Sequence, residues 1–199
     1  MLCIVGLGNP GEQYAKTRHN AGRMAAAFLA TQEDFEEFAF NKKANAQAAE
    51  GKIGKEKAVI MLPDTMMNAS GKSVSAFIKT PGAAKNLLVI HDDLDLPLGT
   101  IKMVFARGSG GHKGVESITR AIKTDQFTRI RIGINPKKRG PAFAGAAASK
   151  EEKVIKHVIG KFKPGEEALL KKTFKKAAEA ARLLAVEGRD AAIMFANTR

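Results

Sequence analysis

The sequence predicts an α/β protein: a single-domain three-layer α/β/α sandwich on a twisted, mostly parallel mixed sheet. Two patterns lead there. Short apolar runs that read as buried strands alternate along the chain with stretches whose apolar residues recur every three to four positions, as in helices packed on a sheet. One hairpin interrupts this alternation, so the sheet must be mixed. The length, 199 residues, is near the ~150 of one domain and suffices to bury a core without disulfide or metal. One domain over 1–199 is therefore expected, with a surface loop over 135–149 and a basic helical part over 151–199.

The elements follow in order. Leu2, Cys3, Ile4 and Val5 form an apolar run ending in a glycine loop, as a buried strand does. Asn20 is placed to cap a helix over 21–30 whose Met24, Ala25, Phe28 and Leu29 share one face. Residues 44–62 pattern as a hairpin turning at Glu50-Gly51-Lys52. A second helix over 71–79 buries Val74, Phe77 and Ile78 and stops at Pro81-Gly82. Residues 87–90 form a central strand running straight into His91-Asp92-Asp93. Ile101, Met103 and Phe105 alternate with other residues, and Gly108-Ser109-Gly110-Gly111 makes a loop before a helix over 115–123. Strict alternation in Arg129-Ile130-Arg131-Ile132-Gly133-Ile134 puts the isoleucines on one sheet face and both arginines on the other. The Pro-, Gly-, Ala- and Lys-rich stretch over 135–149 reads as loop. Helical patterns resume over 151–159 and 166–186, the latter with Leu169, Leu170, Phe174, Ala177, Ala181 and Leu184 as its stripe.

Composition narrows the function classes. With 44% hydrophobic and 27% charged residues, wholesale disorder is excluded. No run approaches the ~18 apolar residues of a membrane helix, and residues 1–20 lack the pattern of a secretory leader. Cys3 is the sole cysteine, which excludes an internal disulfide and a multi-cysteine zinc site and suits a reducing, cytoplasmic setting. The net charge is +13, and it is lopsided: residues 1–99 hold 11 basic and 11 acidic side chains, residues 100–199 hold 22 and 9. Such a concentrated positive field favours a polyanion, nucleic acid above all. A solvated basic helix is the plainer alternative. With no Trp and one Tyr there is no base-stacking platform, so phosphates are the expected handle. Lys102, Arg129, Arg131 and the Lys137-Lys138-Arg139 run are the candidates to hold them.

Several motifs fail on inspection. Gly6-Leu7-Gly8-Asn9-Pro10-Gly11 has the dinucleotide-binding form, but Pro10 and the polar run over 12–20 delay the helix, and Glu33-Asp34 follow that helix rather than a strand. Gly71-Lys72-Ser73 resembles the end of a P-loop, yet Met66 stands where its first glycine must be. No Gly-x-Ser-x-Gly elbow occurs. What remains is a polar constellation at strand ends and loops: Asn9, His19, Asn68, Asp92, His112 and Lys113. An imidazole oriented by a carboxylate can take a proton from water, and asparagine amides can donate to a carbonyl oxygen. The competing reading is a metal held by His19, His91, Asp92, Asp93 and His112, although no recognised ligand spacing supports it. His91 and His157 read more simply as a core and a helix-surface histidine, and Asp93 and Asp95 as turn formers.

Taken together, these segments resemble the bacterial-type peptidyl-tRNA hydrolase family. The resemblance runs through Val5-Gly6-Leu7-Gly8-Asn9-Pro10-Gly11, Tyr14, Thr17-Arg18-His19-Asn20-Ala21-Gly22 and Thr65-Met66-Met67-Asn68-Ala69-Ser70-Gly71. It continues through His91-Asp92-Asp93-Leu94-Asp95-Leu96-Pro97, Gly110-Gly111-His112 and the Arg129–Ile134 strand. It implies hydrolysis of the ester joining a peptide to the terminal ribose of tRNA by a monomer without metal or organic cofactor. The partner implied is peptidyl-tRNA, at its acceptor stem and 3′ end. His19 is then the general base and Asp92 the carboxylate that stabilises its proton-accepting form. Asn9 tells an acylated amino group from a free one, and Tyr14, Met66, Met67, Asn68, His112 and Lys113 contact the tRNA end or peptide. Two positions depart from the family pattern. Lys113 stands where asparagine is usual and lacks an amide acceptor, and Met66 stands where Tyr is commoner. Lys113 and the basic second half also suit an RNA-binding protein on the same scaffold with reduced hydrolysis.

Overall fold

The apolar run at the amino terminus forms β1 (Leu2–Gly6), every residue of it buried. The computed structural model describes residues 1–136 and 147–198 of the chain. After β1 come a 3-10 turn over Arg18–Asn20 and helix α1 (Ala21–Gln32). Strands β2 (Ala39–Asn41), β3 (Ala46–Ile53) and β4 (Glu56–Pro63) form a meander. Then follow α2 (Ser70–Val74), β5 (Leu87–Pro97), β6 (Ile101–Phe105), α3 (Lys113–Ile122) and β7 (Thr128–Asn135). Helices α4 (Ala147–Val158), α5 (Glu167–Val186) and α6 (Arg189–Asn197) complete the described chain.

All seven strands share one sheet in the order β2-β3-β4-β1-β5-β7-β6. The central four run parallel, while β3 and β6 run against their neighbours β4 and β7. Period-two alternation divides the core. Leu2 and Ile4 of β1 face the side covered by α1, α5 and α6, whereas Cys3 and Val5 face the side covered by α2 and α3. The same division holds for Ile130 and Ile132 of β7, which pack under α5 and α6. This is the three-layer mixed sandwich the sequence predicts.

Differences from expectation lie at the element ends. The hairpin turns at Gly54, not over 50–52, because Glu50, Gly51 and Lys52 pair with Val59, Ala58 and Lys57, and Gly54 takes the φ of +60° that the turn needs. Strand β5 does not stop at Ile90. It runs on to Pro97 because β7 continues to pair with it through Asp92↔Ile132 and Asp93↔Gly133. Helix α2 is only five residues long, and α4 begins at Ala147 rather than at 151. The short exposed β2 and the final helix α6 have no separate signal in the periodicity. Of the loop expected over 135–149, residues 137–146 lie outside the described residues, as does the Lys137-Lys138-Arg139 run. Gly22 decides how α1 docks. A Cβ there would overlap the carbonyl oxygen of Ile90, so α1 rests directly on the β5 backbone and delivers the preceding turn to Asp92.

Candidate active site

The loop after β1 and the distal half of β5 meet where ligands gather in parallel sheets, beyond the carboxyl ends of the strands. Asn20, expected to cap α1, makes no side-chain capping bond. Its amide instead clasps the backbone of Asn9, accepting from Asn9 N and donating to Asn9 O, both at 2.9 Å. Asn9 Oδ1 accepts from Met67 N at 2.8 Å. Among the described residues Asn9 Nδ2 is left without a partner, so this side chain offers only hydrogens to the cleft.

His19 sits in the 3-10 turn, which is tied to the segment after α4. Arg18 N donates to Gly160 O at 2.9 Å, and the Arg18 guanidinium forks Glu166 at 3.1 and 2.8 Å. His19 Nδ1 bonds Asp92 Oδ1 at 2.9 Å, and His112 Nε2 bonds the same oxygen at 2.9 Å. The tautomer of His112 follows from its position at the N-cap of α3. Its Nδ1 accepts from Gly114 N and Val115 N at 3.2 and 3.3 Å, so Nε2 carries the hydrogen donated to Asp92. With Asp92 accepting from His19 as well, the remaining nitrogen of His19, Nε2, presents a lone pair and has no partner among the described residues.

The electrostatics match this assignment. Burial alone would raise the Asp92 carboxyl, but the charges and hydrogen bonds of His19 and His112 bring it far below the usual range. Burial pulls the His19 imidazole down, yet the Asp92 charge and hydrogen bond outweigh it. The net shift is upward, with Lys113 opposing. His91 is 1% exposed and is pushed well below its ordinary value by burial, His112 and Arg129. It is a core histidine: its Nδ1 donates to Asp92 O at 2.8 Å.

Asn9, His19, Met66, Met67, Asn68, Asp92, His112 and Lys113 line one cleft of about 450 Å³. Its far wall is apolar, made by Leu94 with Val154, Ile155, Val158 and Ile159 of and beyond α4. That wall and the Asn20 clasp escape sequence reading. Nothing in the spacing brings residues near 155 against residue 19, although the asparagine beside His19 is a visible signal. Tyr14 does not line the cleft and lies in a 3-10 turn before it. His157, read as a helix-surface residue, is bonded through Nε2 to Ile134 O at 2.9 Å.

Lys102 and Arg131 line a second concavity of about 580 Å³ with Arg107 and Arg129, and Asp93, Ser109 and Gly110 border both cavities. Arg129 departs from the expected phosphate-facing role. It is 2% exposed, and its donors go to Arg107 O, Gly108 O and His91. Asp93 does more than shape a turn, since Oδ2 pairs with Arg131 Nε at 2.5 Å while Oδ1 accepts from Asp95 N at 2.8 Å.

His19, Asp92 and His112 could supply three metal-ligand atoms within 4.8 Å of one another. Two of those atoms are nitrogens whose hydrogens already bond the third, and His91 and Asp93 point to other partners. The trio is arranged to hold a carboxylate between two imidazoles.

A family model described as peptidyl-tRNA hydrolase matches residues 3–199. The chain belongs to the peptidyl-tRNA hydrolase family. A protein of that name from Prochlorococcus marinus is 41% identical over 174 residues, 87% of this chain and 82% of its own length. Another from Hydrogenobaculum is 39% identical over 197 residues, 98% and 97% of the two chains. The crystal structure of peptidyl-tRNA hydrolase from Acinetobacter baumannii covers 100% of this chain and 95% of its own at 34% identity, with a TM-score of 0.86. The two positions at which the sequence reading expects a departure from the family pattern both line the cleft. Lys113 is exposed at the first turn of α3, and Met66 is 48% exposed on the adjoining wall.

Proposed function

We propose that the protein hydrolyses the ester between a peptide, or any N-blocked aminoacyl group, and the terminal ribose of tRNA. The observation that carries this is the geometry of His19, bound to Asp92 through Nδ1 and open through Nε2 to a cleft rimmed by Asn9 and Asn68. His19 Nε2 takes a proton from water, and the hydroxide attacks the ester carbonyl. Asp92 stabilises the imidazolium so formed, and Nδ2 of Asn9 or Asn68 donates to the developing oxyanion. Collapse breaks the bond to the ribose oxygen, which recovers the proton from His19, releasing peptide and tRNA.

Asn9 also accounts for selectivity toward acylated substrates. Its acceptor is occupied by Met67 N, so the cleft meets only hydrogens there. A peptide carbonyl accepts them, whereas the ammonium of a free aminoacyl-tRNA opposes them. The apolar wall over 154–159 suits peptide side chains of varied shape. Lys102, Arg107 and Arg131 in the adjoining concavity are assigned to tRNA phosphates, a sequence-blind contact that suits an enzyme accepting many tRNAs. We assign the active form as a cytoplasmic monomer, and Tyr14 to the rim of the bound tRNA end.

His19→Ala tests the proposal with N-acylated aminoacyl-tRNA as substrate. Turnover is expected to fall by about 10²–10⁴-fold, the usual contribution of a general base, in a protein that remains folded. Near-normal turnover would remove His19 as the base. Binding of the substrate by wild type without release of peptide would instead favour an RNA-binding role.

A further inference from the structure

Arg129 is a buried cation that the proposed chemistry leaves unused. Its Nη2 donates to the carbonyls of Arg107 and Gly108, each at 2.8 Å, and its Nη1 donates to His91 Nε2 at 3.3 Å. The β5 carboxylate whose charge reaches Arg129, that of Asp93, bonds Arg131 instead. A guanidinium buried without a carboxylate is costly unless carbonyl dipoles take its hydrogens, and here two adjacent carbonyls do so.

Those carbonyls open the loop that ends at His112. The loop leaves β6 through Ala106 at φ 47° and passes Gly110 and Gly111 at 63° and 79°. A non-glycine residue holds the left-handed region only where surrounding contacts fix it. The other arm of Arg129 reaches His91, whose Nδ1 donates to Asp92 O at 2.8 Å. The His91 ring stands edge-on to that of His112, with centroids 4.6 Å apart. The guanidinium thus touches both supports of His112, its loop and its neighbouring ring.

We propose that Arg129 is a positioning residue for the hydrolysis: by forking the Arg107 and Gly108 carbonyls and bracing His91 against His112, it fixes the second imidazole on Asp92 and so the carboxylate that His19 uses. This rests on the function proposed above. The groups facing His91 are His112 at the N-cap of α3, Arg129 from β7 and the adjacent Asp92. Burial, with His112 and Arg129 alongside, holds His91 well below its ordinary value, so it stands beside Asp92 as a neutral ring.

The test compares Arg129→Lys and Arg129→Gln with wild type in hydrolysis of N-acylated aminoacyl-tRNA, alongside ring NMR of 15N-histidine-labelled protein. Arg129→Lys keeps a charge but ends in a single nitrogen on a shorter stem, so it cannot hold both carbonyls with one nitrogen and reach His91 Nε2 with another. Its kcat is expected to fall roughly tenfold to a hundredfold, the scale of an ångström's misplacement, with KM little changed and the His91 and His112 ring signals displaced. A wild-type kcat with raised KM, and a salt slope of tRNA affinity reduced by about one, would make Arg129 a phosphate ligand instead. A wild-type kcat below a lowered melting temperature would make it merely structural. Either result overturns the proposal. Should both variants fail to fold, His91→Gln cuts one arm and leaves the guanidinium in place; unchanged kcat together with an unmoved His112 signal would then overturn it. If wild type itself does not hydrolyse the substrate, the function reading fails, and the imidazole signals of Arg129→Lys still decide the positioning role.

Discussion

Asp92 Oδ1 receives two imidazole hydrogens, one from His19 and one from His112, and the two rings are held differently. The nitrogen of His112 away from Asp92 is occupied by the amides of Gly114 and Val115, so that ring can only donate to the carboxylate. His19 has no such tether, and its free nitrogen faces the cleft. The proposed base acts only when neutral, and the folded-state affinity of His19 for protons is raised by Asp92. The value of kcat/KM is therefore expected to climb with pH through an inflection above the ordinary ~6.5 of histidine and to level off beyond it. Lys113 opposes the rise. Lys113→Asn removes that opposing charge, so the inflection should move to higher pH. A pH–rate profile of both proteins checks this, and an unmoved or lowered inflection would show that Lys113 exerts no field on His19.

Helix α1 matters through where it starts. The turn carrying His19 and the Asn20 clasp immediately precede it, and the helix lies on β5 only because residue 22 has no side chain. Gly22→Ala would drive a Cβ into the Ile90 carbonyl and lift that end of the helix. Overpacking of this kind costs about 1–3 kcal/mol, read as a melting temperature lower by ~2–4 °C for each kcal/mol. Turnover should fall further than stability alone explains, because the displaced turn separates His19 from Asp92. Wild-type melting and turnover would place the lost contact elsewhere. Strand β5 makes a related point. Its extension through His91, Asp92 and Asp93 gives the carboxylate a rigid strand rather than a loop to stand on, which suits a group that must hold a ring in one orientation.

At the scale of the whole molecule, a cavity lined by basic side chains adjoins the cleft, the two sharing Asp93, Ser109 and Gly110. The +13 net charge lies in the second half of the sequence, and that half supplies Lys102, Arg107 and Arg131 beside the cleft. Phosphate-led binding predicts that log affinity for tRNA falls linearly with log salt, by about 0.9 for each duplex phosphate neutralised. Titration of tRNA binding between low and physiological salt measures it. A flat response would remove those three side chains as phosphate ligands. No helix among the described residues is long and apolar enough to cross a membrane.

The layered α/β architecture is legible in the residue pattern, because period-two and period-3.6 patterning dictate which faces are buried whatever the neighbours are. The pattern also displays Asn9, His19, Asn68, Asp92, His112 and Lys113 as polar groups at element ends, since polar residues there are not needed for the core. Their partners are set by long-range packing. That Asn20 clasps Asn9 rather than capping its helix, that Arg129 turns inward while Arg131 pairs with Asp93, and that α4 walls the cleft are all contacts between residues far apart in the chain. Local preference fixes an element and its buried face. Which hydrogens a side chain finally donates, and to whom, depends on groups that only folding brings within 3 Å.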